Sequence, residues 1–357
     1  MHLERIIASC LLPCVCVLAI AGCTRRVSVA SPVVPLRTEA IPVSGDLPSH
    51  RFGRLFCGVL PHTATATTPW GYCERYFAPS GTPSAFPPDI NASRYRILVV
   101  PGIFGECVEA LARPFEDARR HLMTVHKVDV EYVSVTALGS PAHNAQQIAN
   151  YLQAQFAGSD KRPYIAVGYS KGANDLLETV ASHEIGRTGI KAMVTIAGAV
   201  LGSRLTEGVP RGLLDFFANS KLGTCSIGDG GGIDGLRRSS RADAAAKFRP
   251  PDGFRAYSIA AVSDAATTSA VLMNGWRQLT AYSQEHDSQV IHEDAIAPGA
   301  TYLGIAKGDH WAVALPFDDV PPSHPAYKVI RQTIDHNTYP RVALLESALR
   351  FVLADLP

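Results

Sequence analysis

The sequence predicts an α/β fold, a largely parallel sheet with helices on both faces. Three observations carry that expectation. From about residue 94, apolar runs of strand length alternate with helical patterns. One run, "YIAVGYSKGAND" at 164–175, breaks at Gly168-Tyr169-Ser170-Lys171-Gly172 and passes straight into a helix-like stretch. The chain closes on Arg341–Leu356, where Val342, Leu345, Leu349 and Val352 recur at three- and four-residue steps, which marks a helical face.

Taken in order, the strands are expected at Tyr95–Val100, Val130–Thr136, Tyr164–Gly168, Ala192–Ala197, Phe254–Val262 and Thr301–Ala306. Helices are expected between them at Val108–Leu122, His143–Phe156 and Gly172–His183. One domain over residues 51–357 accommodates all of these, with 51–93 as an N-terminal extension. Residues 202–250 interrupt the alternation. They hold "PRGLLDFFANSKLG", then "GDGGGIDG", then "LRRSSRADAAAKF". Leu213, Leu214, Phe216 and Phe217 give the first of these an apolar face, so the insertion is expected to form a cap or lid over the site.

Composition narrows the classes of function. The 357 residues are 46% hydrophobic and 18% charged, with a formal net charge of +1. That balance lacks the basic excess of a nucleic-acid binder. There is no GxxxxGK[ST] loop and no paired CxxC, so neither a phosphate cradle nor a structural zinc site is expected.

The N-terminus reads as a targeting segment. Residues 1–22 place Arg5 before an apolar stretch from about Ile6 to Ile20, then the small residues Ala21 and Gly22. This is the layout of a signal peptide, too short for a spanning helix. The ending Leu18-Ala19-Ile20-Ala21-Gly22-Cys23 resembles the bacterial lipobox. That resemblance implies lipidation of Cys23 and, with Thr24 following it, the outer membrane of a Gram-negative cell. Residues 23–50 then form the lipidated terminus and a Pro- and Ser-rich tether. Of the eight cysteines, Cys57, Cys73, Cys107 and Cys225 remain for the mature domain. An oxidising compartment favours two disulfides, and proximity favours Cys57–Cys73, leaving Cys107–Cys225.

A bare GxSxG pattern is a modest signal, but the strand before it and the helix after it strengthen it. A serine on such a turn projects its hydroxyl above the sheet, and flanking glycines remove side chains that would clash. The elbow and the order of strands resemble the α/β-hydrolase superfamily, closest to serine esterases and lipases, over residues 94–357. The resemblance implies Ser170 as nucleophile and the chain order serine, acid, histidine. His310, in "KGDHWAVALPF" after the final strand, is then the base; His286, His292, His324 and His336 are lesser candidates. Asp287 is favoured as the acid because "HDSQVIHEDAIAPGATYLGIAKGDHW" is similar to the lipase run from aspartate through Pro-Gly to the histidine. Ser288 departs from the usual glycine. Asp264, directly after the strand "FRAYSIAAV", is the alternative, and Asp309 is read as structural. The loop Pro101-Gly102-Ile103-Phe104-Gly105 is similar to the family's HG-x loop with proline in place of histidine. The N–H groups of Ile103 and Lys171 are the expected oxyanion donors, with Phe104 as an alternative for the first. "VTIAGAVLGS" at 194–203 resembles the lipase strand that ends in Gly-Ser near the pocket.

These readings imply a serine hydrolase that cleaves lipid or other acyl esters through an acyl-enzyme. A peptidase, thioesterase or polyester depolymerase would use the same triad, and a non-catalytic envelope lipoprotein would keep only the fold. No cofactor or metal is implied, because serine acyl transfer supplies its own nucleophile and base. The short "HED" run at 292–294 lacks the ligand spacing of a zinc site.

Overall fold

In a computed structural model of the chain, the described residues are 47–64, 71–85, 90–109, 111–207, 226 and 228–356. The expected signal segment, Cys23 and nearly all of the expected tether therefore lie outside them. So does the expected amphipathic helix of the insertion. The first helix, α1 (Pro48–Val59), begins within the last residues expected to be tether.

After α1 come the edge strand β1 (Phe77–Ala78) and β2 (Arg96–Val100), then helix α2 (Glu116–Val125) and β3 (Val130–Tyr132). Helix α3 (Pro141–Ala157) leads to β4 (Tyr164–Tyr169), α4 (Lys171–Ser182) and β5 (Ile190–Ile196). Helix α5 (Arg238–Lys247), β6 (Arg255–Val262), α6 (Met273–Thr280), β7 (Thr301–Lys307) and α7 (Arg341–Asp355) complete the labelled elements. The strands form one seven-stranded sheet in the order β1-β7-β6-β5-β4-β2-β3. Every pairing is parallel except β1 with β7.

Burial on both faces explains the apolar strands. All six residues of β4 are buried, as a central parallel strand requires. At the start of α3, the Ser140 hydroxyl accepts the His143 N–H at 3.1 Å and Pro141 follows as the first helical residue, two standard start signals. Helix α7 is apolar on more than one side because α1 and α2 both cover it.

The expected helix Val108–Leu122 is broken. A short turn at Gly105–Val108 is separated from α2 by Pro114 and by Phe115, which has φ 59° and donates its N–H to the Ala314 carbonyl at 2.7 Å. Proline lacks the amide that a continuous helix would use there. The strand expected to reach Thr136 stops at Tyr132, and the Thr136 N–H goes instead to Gln147 Oε1 at 2.9 Å. The extension adds what the sequence did not announce: α1 packs on β7 and α7, and Phe77 sits 5.0 and 5.2 Å from the rings of Phe52 and Phe56. Cys57 and Cys73 are joined by a disulfide. Cys107 is also disulfide-bonded, while Cys225 lies outside the described residues.

The described flanks of the insertion are stitched to loops at the carboxyl ends of the strands. The Gly232 N–H donates to the Leu138 carbonyl at 2.7 Å, and Asp229 accepts the Ser140 N–H at 2.7 Å. Arg238 pairs with the buried Asp294. Among the described residues, no helix is long and apolar enough to cross a membrane.

Candidate active site

Ser170 joins β4 to α4 at φ 54°, ψ −125°, a region that costs a non-glycine residue free energy and persists only where the surroundings enforce it. Three glycines let the backbone close around it. A Cβ on Gly168 would lie 2.7 Å from Ala173 Cα, and one on Gly172 would lie 2.3 Å from the Val100 carbonyl oxygen. A Cβ on Gly102 would lie 2.8 Å from the Ser170 Cβ, so the loop after β2 is in direct contact with the serine. The N-terminus of α4 starts at the next residue, which favours developing negative charge there.

Asp287, between β6 and β7, and His310, after β7, reach the same point from the carboxyl ends of strands parallel to β4. The Ser170 Oγ lies 2.8 Å from His310 Nε2, and His310 Nδ1 lies 2.6 Å from Asp287 Oδ2. The other carboxylate oxygen accepts the N–H groups of Gln289 and Val290 at 2.9 and 2.7 Å. The His310 N–H donates to the Asp287 carbonyl at 2.8 Å, so main chain and side chain hold the pair together. All three residues are buried, Ser170 at 7% exposure. With the Nδ1 proton on the carboxylate side, Nε2 is an acceptor for the serine proton. Such an arrangement can generate a nucleophilic alkoxide and then return the proton to a leaving group.

Of the two expected oxyanion donors, Lys171 follows the serine in sequence, and Ile103 follows Gly102, the residue of the β2 loop in contact with Ser170. Phe104 donates its N–H to the Ala137 carbonyl at 3.2 Å, which removes it as the alternative. Among the described residues, the N–H groups of Ile103 and Lys171 have no backbone acceptor.

The structure separates the other candidates from this group. Asp264 is exposed and accepts the N–H groups of Ala266 and Thr267, both at 2.9 Å, in a local turn. Asp309 is buried but accepts the N–H groups of Ser269, Trp311 and Ala312, so it caps the histidine loop. His286 packs beneath the Asp287 turn, with Nδ1 accepting the Ser288 N–H at 3.2 Å and Nε2 3.1 Å from Thr280 Oγ1. His292 contacts Tyr302 and Glu285, His324 accepts the Ala326 N–H, and His336 lies beside Asp335. Ser203, at the end of "VTIAGAVLGS", donates to the Gln289 carbonyl at 2.5 Å and so braces the turn that carries Asp287.

Two supports were not read from sequence. The Tyr169 hydroxyl donates to the His310 carbonyl at 2.8 Å, and burial raises its pKa far above the usual tyrosine range, keeping it a donor. Behind Ser170, the Lys171 ammonium meets both oxygens of Asp175 at 2.7 and 2.9 Å, each side chain 1% exposed. Asn144 on α3 donates to the same carboxylate at 2.8 Å. Burial pushes the Lys171 pKa down and that of Asp175 up, and the double contact opposes both shifts. The i,i+4 spacing of Lys171 and Asp175 was a visible signal for that pair. Nothing near Tyr169 in sequence points to a partner 141 residues away.

A seven-stranded, mostly parallel sheet with a serine elbow after β4 defines the α/β-hydrolase fold. No protein-family model and no curated protein matches the sequence. Among solved structures, the metagenomic carboxyl esterase MGS0156 is 30% identical, with a TM-score of 0.79 over 96% of this chain and 99% of that one. The chain belongs to the α/β-hydrolase family of that carboxyl esterase. Two more distant structures share the fold. The Staphylococcus hyicus lipase is 13% identical with a TM-score of 0.55, covering 76% of this chain and 100% of that one. Lipase 1 from Pelosinus fermentans is 11% identical with a TM-score of 0.52, covering 74% and 99%.

Proposed function

We propose that this protein is a serine hydrolase that cleaves carboxylic esters through an acyl-enzyme. Ser170 attacks the ester carbonyl as His310 Nε2 takes its proton. Asp287 fixes the imidazole tautomer and stabilises the imidazolium as it forms. The tetrahedral oxyanion is met by the N–H groups of Ile103 and Lys171. His310 then gives the proton to the departing alkoxide, and water attacks the acyl-serine by the same steps reversed. The observation that carries this reading is the continuous hydrogen-bonded chain Ser170–His310–Asp287, closed at 2.8 and 2.6 Å in a buried setting. The kinship with a carboxyl esterase points to the same bond type.

An apolar cluster favours an acyl group as the substrate's recognised part. It joins Ile103 of the oxyanion loop, Leu236 of the insertion and Val290 of the acid turn. The test is a panel of nitrophenyl esters of rising acyl length, run beside Ser170→Ala, with fluorophosphonate labelling mapped by mass spectrometry. Turnover or labelling that survives Ser170→Ala would remove Ser170 from the role.

The lipobox-like ending supports placing this activity at the cell envelope through a lipid on Cys23. Incorporation of a palmitate analogue into the wild type and not into Cys23→Ser tests this. Equal labelling of both, or of neither, refutes the anchor.

A further inference from the structure

Helices α2 and α7 contribute none of Ser170, His310 or Asp287, yet they bring together a second cluster of ionisable groups. His121 lies in α2 and His126 is its C-terminal cap; Glu346 lies in α7. The Nε2 atoms of the two imidazoles lie 3.1 and 3.3 Å from one oxygen, Glu346 Oε2. The three ligand atoms all lie within 4.8 Å of one another. Zinc–nitrogen and zinc–oxygen bonds of about 2.0–2.2 Å set tetrahedral ligand atoms about 3.3–3.5 Å apart, close to the spacing of these imidazole and carboxylate atoms.

Two further features suit a cation. The other carboxylate oxygen, Glu346 Oε1, accepts Arg350 Nε at 2.9 Å and lies 2.8 Å from its Nη2, so the carboxylate is anchored with Oε2 turned to the imidazoles. Anchoring of a ligand carboxylate by an outer hydrogen bond is the usual support of a metal site. A cavity of about 720 Å³ borders all three residues, leaving room for water or another small ligand in the remaining coordination position.

We propose that His121, His126 and Glu346 form a site for a divalent cation of the zinc class, clamping α2 to α7. Nitrogen-rich donors select zinc and its transition-metal neighbours over magnesium and calcium, which prefer all-oxygen shells. The Arg350 charge opposes a dication and makes the site weaker than one with an unpaired carboxylate. The sequence hid this group because His121 and Glu346 are 225 residues apart.

The experiment uses untagged full-length protein stripped with a chelator. Zinc binding is read by competition with a chromophoric indicator and by thermal melting. The expected result is one zinc per chain and a zinc-dependent rise in Tm that magnesium does not reproduce. Glu346→Gln and His126→Ala should each weaken binding by about a hundredfold or more, beyond what loss of an outer partner costs. If either fails to fold, His121→Ala, whose side chain is 22% exposed, carries the same test. Ser170→Ala should bind as the wild type does. No zinc-dependent signal in the wild type, or equal affinity in the ligand variants, overturns the proposal.

Discussion

The hydroxyl of Tyr169, the residue immediately before Ser170, donates to the main-chain oxygen of His310 at 2.8 Å, with the two rings 5.2 Å apart. The end of β4 and the loop after β7 are therefore fixed to each other on the proposed nucleophile's doorstep. Tyr169→Phe keeps the ring contact and removes only the hydroxyl. The His310 carbonyl is then left without this donor, at a cost of about 1–3 kcal/mol in stability. A small drift of the imidazole should lower kcat by about ten- to a hundredfold. Ester kinetics beside thermal melts check this. Unchanged kcat and Tm would show that the hydroxyl positions nothing.

The contrast between what was and was not legible follows from distance along the chain. Strands β2, β4, β5, β6 and β7 could be read because burial on both faces writes a continuous apolar run into adjacent residues. Ser170 was legible for the same reason, since its glycines and flanking elements are all local. Asp287 and His310 needed a family resemblance, because their meeting with Ser170 is a tertiary event. The break at Phe115 was signalled by Pro114, which the helical pattern around it obscured. The antiparallel pairing of Phe77–Ala78 to β7 left no trace, as two residues show no period.

Ser288 stands where the resemblance leads one to expect glycine, and it adopts φ 80°. Its Oγ is buried and has no hydrogen-bond partner among the described residues. Backbone strain of about 1–3 kcal/mol should be relieved in Ser288→Gly. The extra freedom of glycine in the unfolded chain returns about 0.4–1 kcal/mol of that. A net gain of about 1 kcal/mol with kcat unchanged is expected from urea unfolding. A loss of stability would show that the hydroxyl has a stabilising contact after all.

Lys171→Met strands the Asp175 carboxylate in the interior with Asn144 as its remaining donor. Removing one partner of a buried ion pair costs about 3–5 kcal/mol. Lys171→Met combined with Asp175→Leu should recover most of it, because neither charge is then buried alone. The main-chain N–H of residue 171 is untouched, so kcat should fall less than stability does. A double variant no more stable than the single one contradicts this account.

His286 predicts an acid-side loss of stability. It is fully buried, accepts the Ser288 N–H at Nδ1, and burial lowers its pKa, with Asp287 opposing. The unfolded imidazole binds a proton more readily than the folded one. Its contribution is therefore complete above the unfolded value of about 6.5 and is lost as pH falls from there through the folded value. Urea midpoints measured from neutral to mildly acidic pH should decline below that point. His286→Gln should flatten the decline, and an identical slope in the variant would assign it to other groups.

Replacing the proposed acid should separate Asp287 from Asp264 cleanly. Asp287 Oδ1 already accepts two main-chain N–H groups, from Gln289 and Val290. In Asp287→Asn the amide oxygen stays with those donors, and the NH₂ group turns to His310 Nδ1. The imidazole must then carry its proton on Nε2, which can no longer accept from Ser170. The same wrong-tautomer substitution costs about ten-thousand-fold in kcat in the well-studied serine protease triad. In Asp264→Asn the retained side-chain oxygen still accepts from Ala266 and Thr267, so turnover should stay at the wild-type level. Ester turnover of both variants, with melts to establish folding, decides the matter. A large loss confined to Asp264→Asn would reverse the assignment, and small losses in both would leave His310 without an orienting acid.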